Sequence, residues 1–127
     1  MTVDDLRAVP LLSSMDEEAL AFLADRMQEV SVPLGGHIVK AGDYAYKFFV
    51  IVDGSVAVTR DGAVIAGLKR GDVFGEMALI EDARRNADVV ATALTRLGVL
   101  MSWDFREALQ RFPDLRKRID DVTASRG

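Results

Sequence analysis

The chain has 127 residues, 50% apolar and 28% charged, with a net charge of −4. That length builds one domain with a real core but not two, and the acidic balance argues against a general nucleic-acid surface. Cysteine is absent and His37 is the single histidine, which excludes disulfides, thiolate metal sites, cysteine nucleophiles and histidine-based metal sites or triads.

In chain order, the acidic start Met1-Thr2-Val3-Asp4-Asp5 lacks the basic and apolar regions of a signal peptide. No apolar run approaches the length of a membrane span. The expectation is a soluble, cytoplasmic protein with no membrane partner. Arginine outnumbers lysine 12 to 4, which hints at a GC-rich bacterial genome. Ser14-Met15-Asp16-Glu17 fits a capping box, with Ser14 as N-cap and Glu17 three residues on. Leu20, Leu23, Ala24 and Met27 then follow the spacing of a buried helical stripe. Residues 1–28 are therefore predicted to be helical.

From about residue 29 to residue 101 the signal is β. The turn pairs Gly35-Gly36, Gly42-Asp43, Asp53-Gly54, Asp61-Gly62 and Gly71-Asp72 recur every seven to eleven residues. Between them lie β-branched and aromatic runs, the pattern of a barrel or sandwich. Asp61-Gly62 reads as a two-residue hairpin turn. Phe48 to Val52 is apolar without alternation, which predicts a strand covered on both faces.

The helical period returns at Ser102, read as an N-cap, with Phe105, Ala108, Leu109 and Phe112 on one stripe. Trp103, beside this helix start, is read as a packing residue. Pro113 can open a further helix but cannot sit inside one. Leu115, Ile119 and Val122 continue the stripe, so two C-terminal helices are predicted over about 102–123, with Ala124 to Gly127 frayed.

The segment from Phe74 to Ala87 interrupts the β region. Gly75 opens a run of helix formers, which aims free backbone N–H groups and the positive end of a helix dipole at one point. Such a point holds an anion, a phosphate above all. Arg85 follows with a planar fork suited to phosphate oxygens. Glu76 repels a phosphate, so it is expected to engage something else, and a sugar hydroxyl is the natural candidate. One amide nest, one guanidinium and one carboxylate suggest a ligand carrying a phosphate and a ribose. A plain ion pair between Glu76 and Arg85 across a loop is the competing structural explanation.

Phe74-Gly75-Glu76-Met77-Ala78-Leu79 followed by Arg85-Asn86-Ala87, with Ala41-Gly42-Asp43, Asp53-Gly54-Ser55-Val56 and Lys69-Arg70-Gly71-Asp72 in order, resembles the cyclic nucleotide-binding domain family. That family includes sensor domains of the bacterial cAMP receptor protein and of the protein kinase A regulatory subunit. The resemblance covers nearly the whole chain. It implies a mainly β fold with flanking helices: an antiparallel β-roll (a jelly-roll-like barrel) with an N-terminal helix, a short cassette helix within residues 74–87 and two C-terminal helices, all in one domain over 1–127.

The resemblance also implies a cyclic nucleotide as ligand, cAMP first and cGMP second, with no other cofactor. No residue set offers a nucleophile with a base and no metal ligands converge, so a sensor without catalytic residues or metal is expected. Glu76 would accept from the ribose 2′-OH and Arg85 would pair with the cyclic phosphate. Gly75 and the backbone around Met77, Ala78, Asn86 and Ala87 would complete the phosphate contacts. Val73, Phe74, Val89 and Ile65 would form apolar walls. A sensor of this kind would relay binding through its C-terminal helices to an effector protein or a second copy of itself. The alternative is a degenerate form of the fold that binds no nucleotide and serves protein interaction. Three positions depart from the family pattern. Arg84 stands where proline is frequent and is a second candidate phosphate partner. Asn86 replaces a small residue. Asp88 would oppose an anion if it faced the pocket and be neutral if it pointed outward.

Overall fold

The computed structural model describes residues 1–76 and 84–126. Two four-stranded antiparallel sheets form the centre, and helices flank one of them. The elements are α1 (Val3–Arg7), α2 (Glu17–Arg26), β1 (Gln28–Val32), β2 (His37–Val39), β3 (Lys47–Asp53), β4 (Ser55–Arg60), β5 (Ala63–Lys69), β6 (Val73–Phe74), β7 (Asp88–Ala91), β8 (Thr95–Met101), α3 (Ser102–Arg111) and α4 (Pro113–Arg126). One sheet has the order β1-β8-β3-β6 and the other β2-β7-β4-β5. The roll is thus two sheets rather than a closed barrel.

The lack of alternation in β3 has a direct cause. Successive strand residues point to opposite faces, and here both faces are covered. Phe48 and Val50 join a cluster with Leu6, Leu20, Phe105, Leu115 and Ile119 on the helical side. Phe49 and Ile51 join Val39, Val56, Phe74, Val89 and Leu97 between the sheets. Phe48 stacks on Phe105 at 4.8 Å and Phe49 on Phe74 at 4.7 Å, so each face is fixed by an aromatic pair.

The β4–β5 connection is the two-residue turn expected from Asp61-Gly62. Both residues have positive φ, 53° and 81°, as a type I′ turn requires. A register shift follows: Val58 pairs with Ala66 but Thr59 with Val64, so Ile65 is an extra residue on β5. This bulge puts Ile65 and Ala66 toward the same side of the hairpin, a feature used by the site below.

Both C-terminal helices form, and Pro113 opens the second. Leu115 and Ile119 are buried, as their spacing required. Arg118 ties α4 to the N-terminal segment, donating to the Leu11 carbonyl (2.8 Å) and the Ser14 hydroxyl (2.8 Å) while pairing with Asp114.

Several local expectations are corrected. The N-cap of α2 is Asp16, not Ser14. The reason lies upstream, where Val9, Leu12 and Met15 each donate their N–H to the carbonyl three residues before. These tight turns bring Leu6, Val9, Leu12 and Met15 to one buried face. Met15 is held in that run and cannot begin the helix. An additional short helix, α1, precedes it, closed by a Thr2–Asp5 capping box. Ser102 is the first residue of α3 rather than its cap, which is Met101. The last helix continues through Arg126 instead of fraying at Ala124. Trp103 is 61% exposed and is not a packing residue. Its place on α3, one residue after buried Ser102 and two before buried Phe105, turns it to solvent.

Candidate functional site

Between the β4–β5 hairpin and β6–β7 lies a cavity of about 380 Å³, within the usual range of small-molecule sites. Its lining is Val39, Val58, Arg60, Ile65, Ala66, Leu68, Phe74, Gly75, Glu76, Arg85, Asn86, Ala87 and Val89. The hairpin and β7 supply an apolar floor. The charged groups are two guanidiniums and one carboxylate, a net single positive charge among the described residues.

Gly75 makes the charged end possible. Its φ is +92°, a region L side chains rarely adopt. A Cβ there would also lie 3.0 Å from the Lys47 carbonyl oxygen, 3.1 Å from Arg85 Nη1 and 3.3 Å from the Phe49 ring. The missing side chain is the space into which Arg85 reaches.

Arg85 is only 9% exposed. Its backbone is pinned by the Gly42-Asp43 turn: Arg85 N–H donates to Asp43 O and Gly42 N–H donates to Arg85 O, both at 2.8 Å. Its guanidinium lies 6.0 Å from the centroid of the Phe49 ring. Nη1 donates to Gly75 O at 2.9 Å and Nη2 to Lys47 O at 2.5 Å. Two of the fork's five N–H donors are thereby committed to carbonyls. Burial pulls the guanidinium below its ordinary value, and the charge of Glu76 partly opposes that. Arginine remains protonated regardless, so the site holds a poorly solvated cation. Glu76, 1% exposed, follows Gly75 directly. A buried cation and a buried carboxylate at one end of a cavity can bind an anion and a hydroxyl together.

Of the residues singled out in the sequence, the structure brings Phe74, Gly75, Glu76, Arg85, Asn86, Ala87, Val89 and Ile65 to this cavity. Met77 and Ala78 lie outside the described residues, as does most of the anticipated cassette helix. Val73 does not reach the cavity; it packs with the helix-facing cluster. Phe74 is its strand neighbour and takes the other face, so the two could not both be walls.

The ambiguous positions also separate. Arg84 turns away, with its guanidinium 4.3 Å from the Tyr44 ring centroid, donating to Tyr44 OH (2.7 Å) and Gly42 O (3.2 Å). Asp88 does not line the cavity; its carboxylate accepts the Ala41 N–H at 2.7 Å. Asn86 is exposed at the cavity, and its backbone carbonyl accepts from Arg60 Nε at 3.3 Å. The sequence reading missed Val39, Val58, Arg60, Ala66 and Leu68. The signal for Val58 and Arg60 was present, since Val56, Val58 and Arg60 alternate along β4 toward one face. His37 is an exposed strand residue.

Among the described residues no group of three His, Asp or Glu side chains could hold a metal, and no helix is long and apolar enough to cross a membrane. The family description Cyclic nucleotide-binding domain matches residues 29–112. The chain is 35% identical over 113 residues to a cAMP-dependent protein kinase regulatory subunit of Schizosaccharomyces pombe, covering 88% of this chain and 27% of that protein. It is 37% identical over 97 residues to a cGMP-dependent protein kinase of Drosophila melanogaster, covering 71% of this chain and 13% of the kinase. The fold superposes on the Thermus thermophilus catabolite activator protein with a TM-score of 0.83 at 27% identity, covering 92% of this chain and 57% of that one. These sources, two eukaryotes and a bacterium, lend no particular support to the bacterial origin suggested by the arginine content. The chain spans about a quarter of the length of the curated kinase regulatory subunits that it matches. On the match across residues 29–112 and the superposed fold, the chain belongs to the cyclic nucleotide-binding domain family.

Proposed function

We propose that residues 1–127 form one ligand-sensing domain, a binding protein rather than an enzyme, whose cavity takes a cyclic nucleotide, cAMP or cGMP. The observation that carries this reading is the placement of buried Arg85 and buried Glu76 beside Gly75 in the lining of one largely apolar cavity. The cyclic phosphate would draw on Arg85 and the backbone from Gly75 onward, with Asn86 and Ala87 beside it. The ribose 2′-OH would donate to Glu76. Phe74, Val89 and Ile65 would border the sugar and base.

The route to an effector starts at the same arginine. Lys47 O accepts from Arg85, and the adjacent Tyr46 O accepts the Ser102 N–H at 2.7 Å, at the first residue of α3. A phosphate that redirects the guanidinium loosens its hold on Lys47, one residue from the carbonyl that anchors α3. Helix α4, after the Pro113 break, would then repack toward the site. The bonds from Arg118 to Leu11 and Ser14 are what that movement must release. The partner is an effector protein, of which a protein kinase is one class, or a second copy of this chain. Ligand binding moves such an equilibrium only through its differential affinity for the two arrangements.

Calorimetry and thermal unfolding with cAMP, cGMP and 5′-AMP test the binding step. A cyclic nucleotide at 100 times its Kd should add about 2.7 kcal/mol of stability; 5′-AMP should add far less. Amide exchange over Leu115 to Thr123 tests the relay, and identical exchange with and without saturating nucleotide would refute it. A second reading is an interaction module without a ligand. It draws support from the two backbone carbonyls that Arg85 already bonds, as a structural residue would. The absence of any shift with either cyclic nucleotide would favour that reading.

A further inference from the structure

The cavity holds a second guanidinium, and its position is unlike that of Arg85. Arg60 is the last residue of β4 and lies on the face of Val56 and Val58. It is exposed, stands at the hairpin side of the cavity, and borders the apolar wall of Val58, Ile65, Ala66 and Leu68. Its Nε donates to the Asn86 backbone carbonyl at 3.3 Å. That bond ties the β4 end to the residue after Arg85. Among the described residues neither terminal nitrogen of Arg60 has a hydrogen-bond partner, so two roughly parallel donors remain available at the cavity.

The apolar hairpin wall is where a purine ring would lie once Arg85 and Glu76 hold the phosphate and ribose. A forked pair of donors on a cation matches one purine edge. Guanine presents two adjacent acceptors, O6 and N7; adenine presents N7 beside the N6 amino donor. Arg60 facing adenine would set donors against a donor; facing guanine it can form two bonds. We infer that Arg60, anchored on Asn86, is the base-reading residue of this site and tilts it toward a 6-oxopurine, guanine, over adenine. This rests on the nucleotide reading above and departs from the cAMP-first expectation of the sequence.

The test is calorimetric Kd measurement for cGMP, cIMP and cAMP on the full chain as wild type, Arg60→Val and Arg60→Lys. Inosine carries O6 and N7 but no 2-amino group, so cIMP isolates the edge in question. Wild type should favour cGMP and cIMP over cAMP by about tenfold, the range of one bidentate base contact. Arg60→Val should weaken cGMP and cIMP by about tenfold while leaving cAMP within about twofold. Arg60→Lys keeps the charge without the fork and should resemble Arg60→Val. Equal weakening of all three nucleotides would make Arg60 a second phosphate partner and overturn base reading, as would unchanged ratios. Wild-type protein that binds none of the three would overturn the nucleotide reading itself, and this inference with it.

Discussion

Replacing Arg85 with alanine should destabilise the protein even without ligand. The change removes two charge-assisted bonds, to Gly75 O and Lys47 O, and takes a countercharge away from buried Glu76. Each lost bond to these part-buried carbonyls costs about 1 kcal/mol net. Loss of the nearby positive charge leaves the Glu76 carboxylate less compensated and adds to that. Water entering the vacated space offsets some of this, so a total of about 3 kcal/mol is expected. A chain of this length has an unfolding entropy of about 0.27 kcal/mol/K, which makes the shift a fall in Tm of about 11 °C. The assay is thermal unfolding of four proteins: wild type, Arg85→Ala, Glu76→Gln and the double variant. If Glu76 and Arg85 are coupled, the double variant should be more stable than the sum of the single changes predicts, by about 1 kcal/mol or more. An Arg85→Ala protein that melts within 1–2 °C of wild type, or strict additivity in the cycle, would refute the reasoning.

Arg84→Ala removes only exposed contacts to Tyr44 and Gly42; it should change stability by less than about 0.5 kcal/mol and leave the cyclic-nucleotide shift intact, which a titration comparing it with Arg85→Ala will show. Gly75→Ala introduces positive-φ strain and a Cβ 3.1 Å from Arg85 Nη1; about 2 kcal/mol of stability should be lost, together with most of the nucleotide-induced shift. Asp5 is held below the ordinary carboxylate range by its hydrogen bonds with Thr2. A depressed folded pKa contributes stability above the unfolded value, near 3.9, and loses it as pH falls through the folded value. Wild type should therefore exceed Asp5→Ala in denaturant midpoint at pH 7, and the gap should close below about pH 4; a gap constant from pH 7 to pH 3 would contradict the capping role.

Much of the site was legible because its residues are contiguous or follow a fixed period. Gly75 and Glu76 are neighbours, and their chemistry needs only a turn that glycine permits. The Asp61-Gly62 turn and the Pro113 break are likewise local events, governed by backbone sterics. The stripe of Leu115 and Ile119 is a helical period, and the structure buries both. What failed locally failed for lack of sight of neighbours. Ser14 looked like a cap until the turns through Leu12 and Met15, and the donor from Arg118, assigned it elsewhere.

The amino-acid sequence determined the β-roll's strands and turns and the two terminal helical blocks, and it singled out Gly75, Glu76 and Arg85 as candidates, since each of these readings depends on propensities and spacings within a few residues. Tertiary structure alone decided which of two adjacent arginines enters the cavity. Arg85 is drawn in by carbonyls of Lys47 and Gly75, whereas Arg84 is drawn out by Tyr44, 40 positions away. It also turned Asp88 from a threat to anion binding into a cap for Ala41, and set Arg60 beside Asn86 across 26 residues. Orientation of a charged side chain is fixed by partners that are remote in sequence, and only folding brings those partners within hydrogen-bond reach.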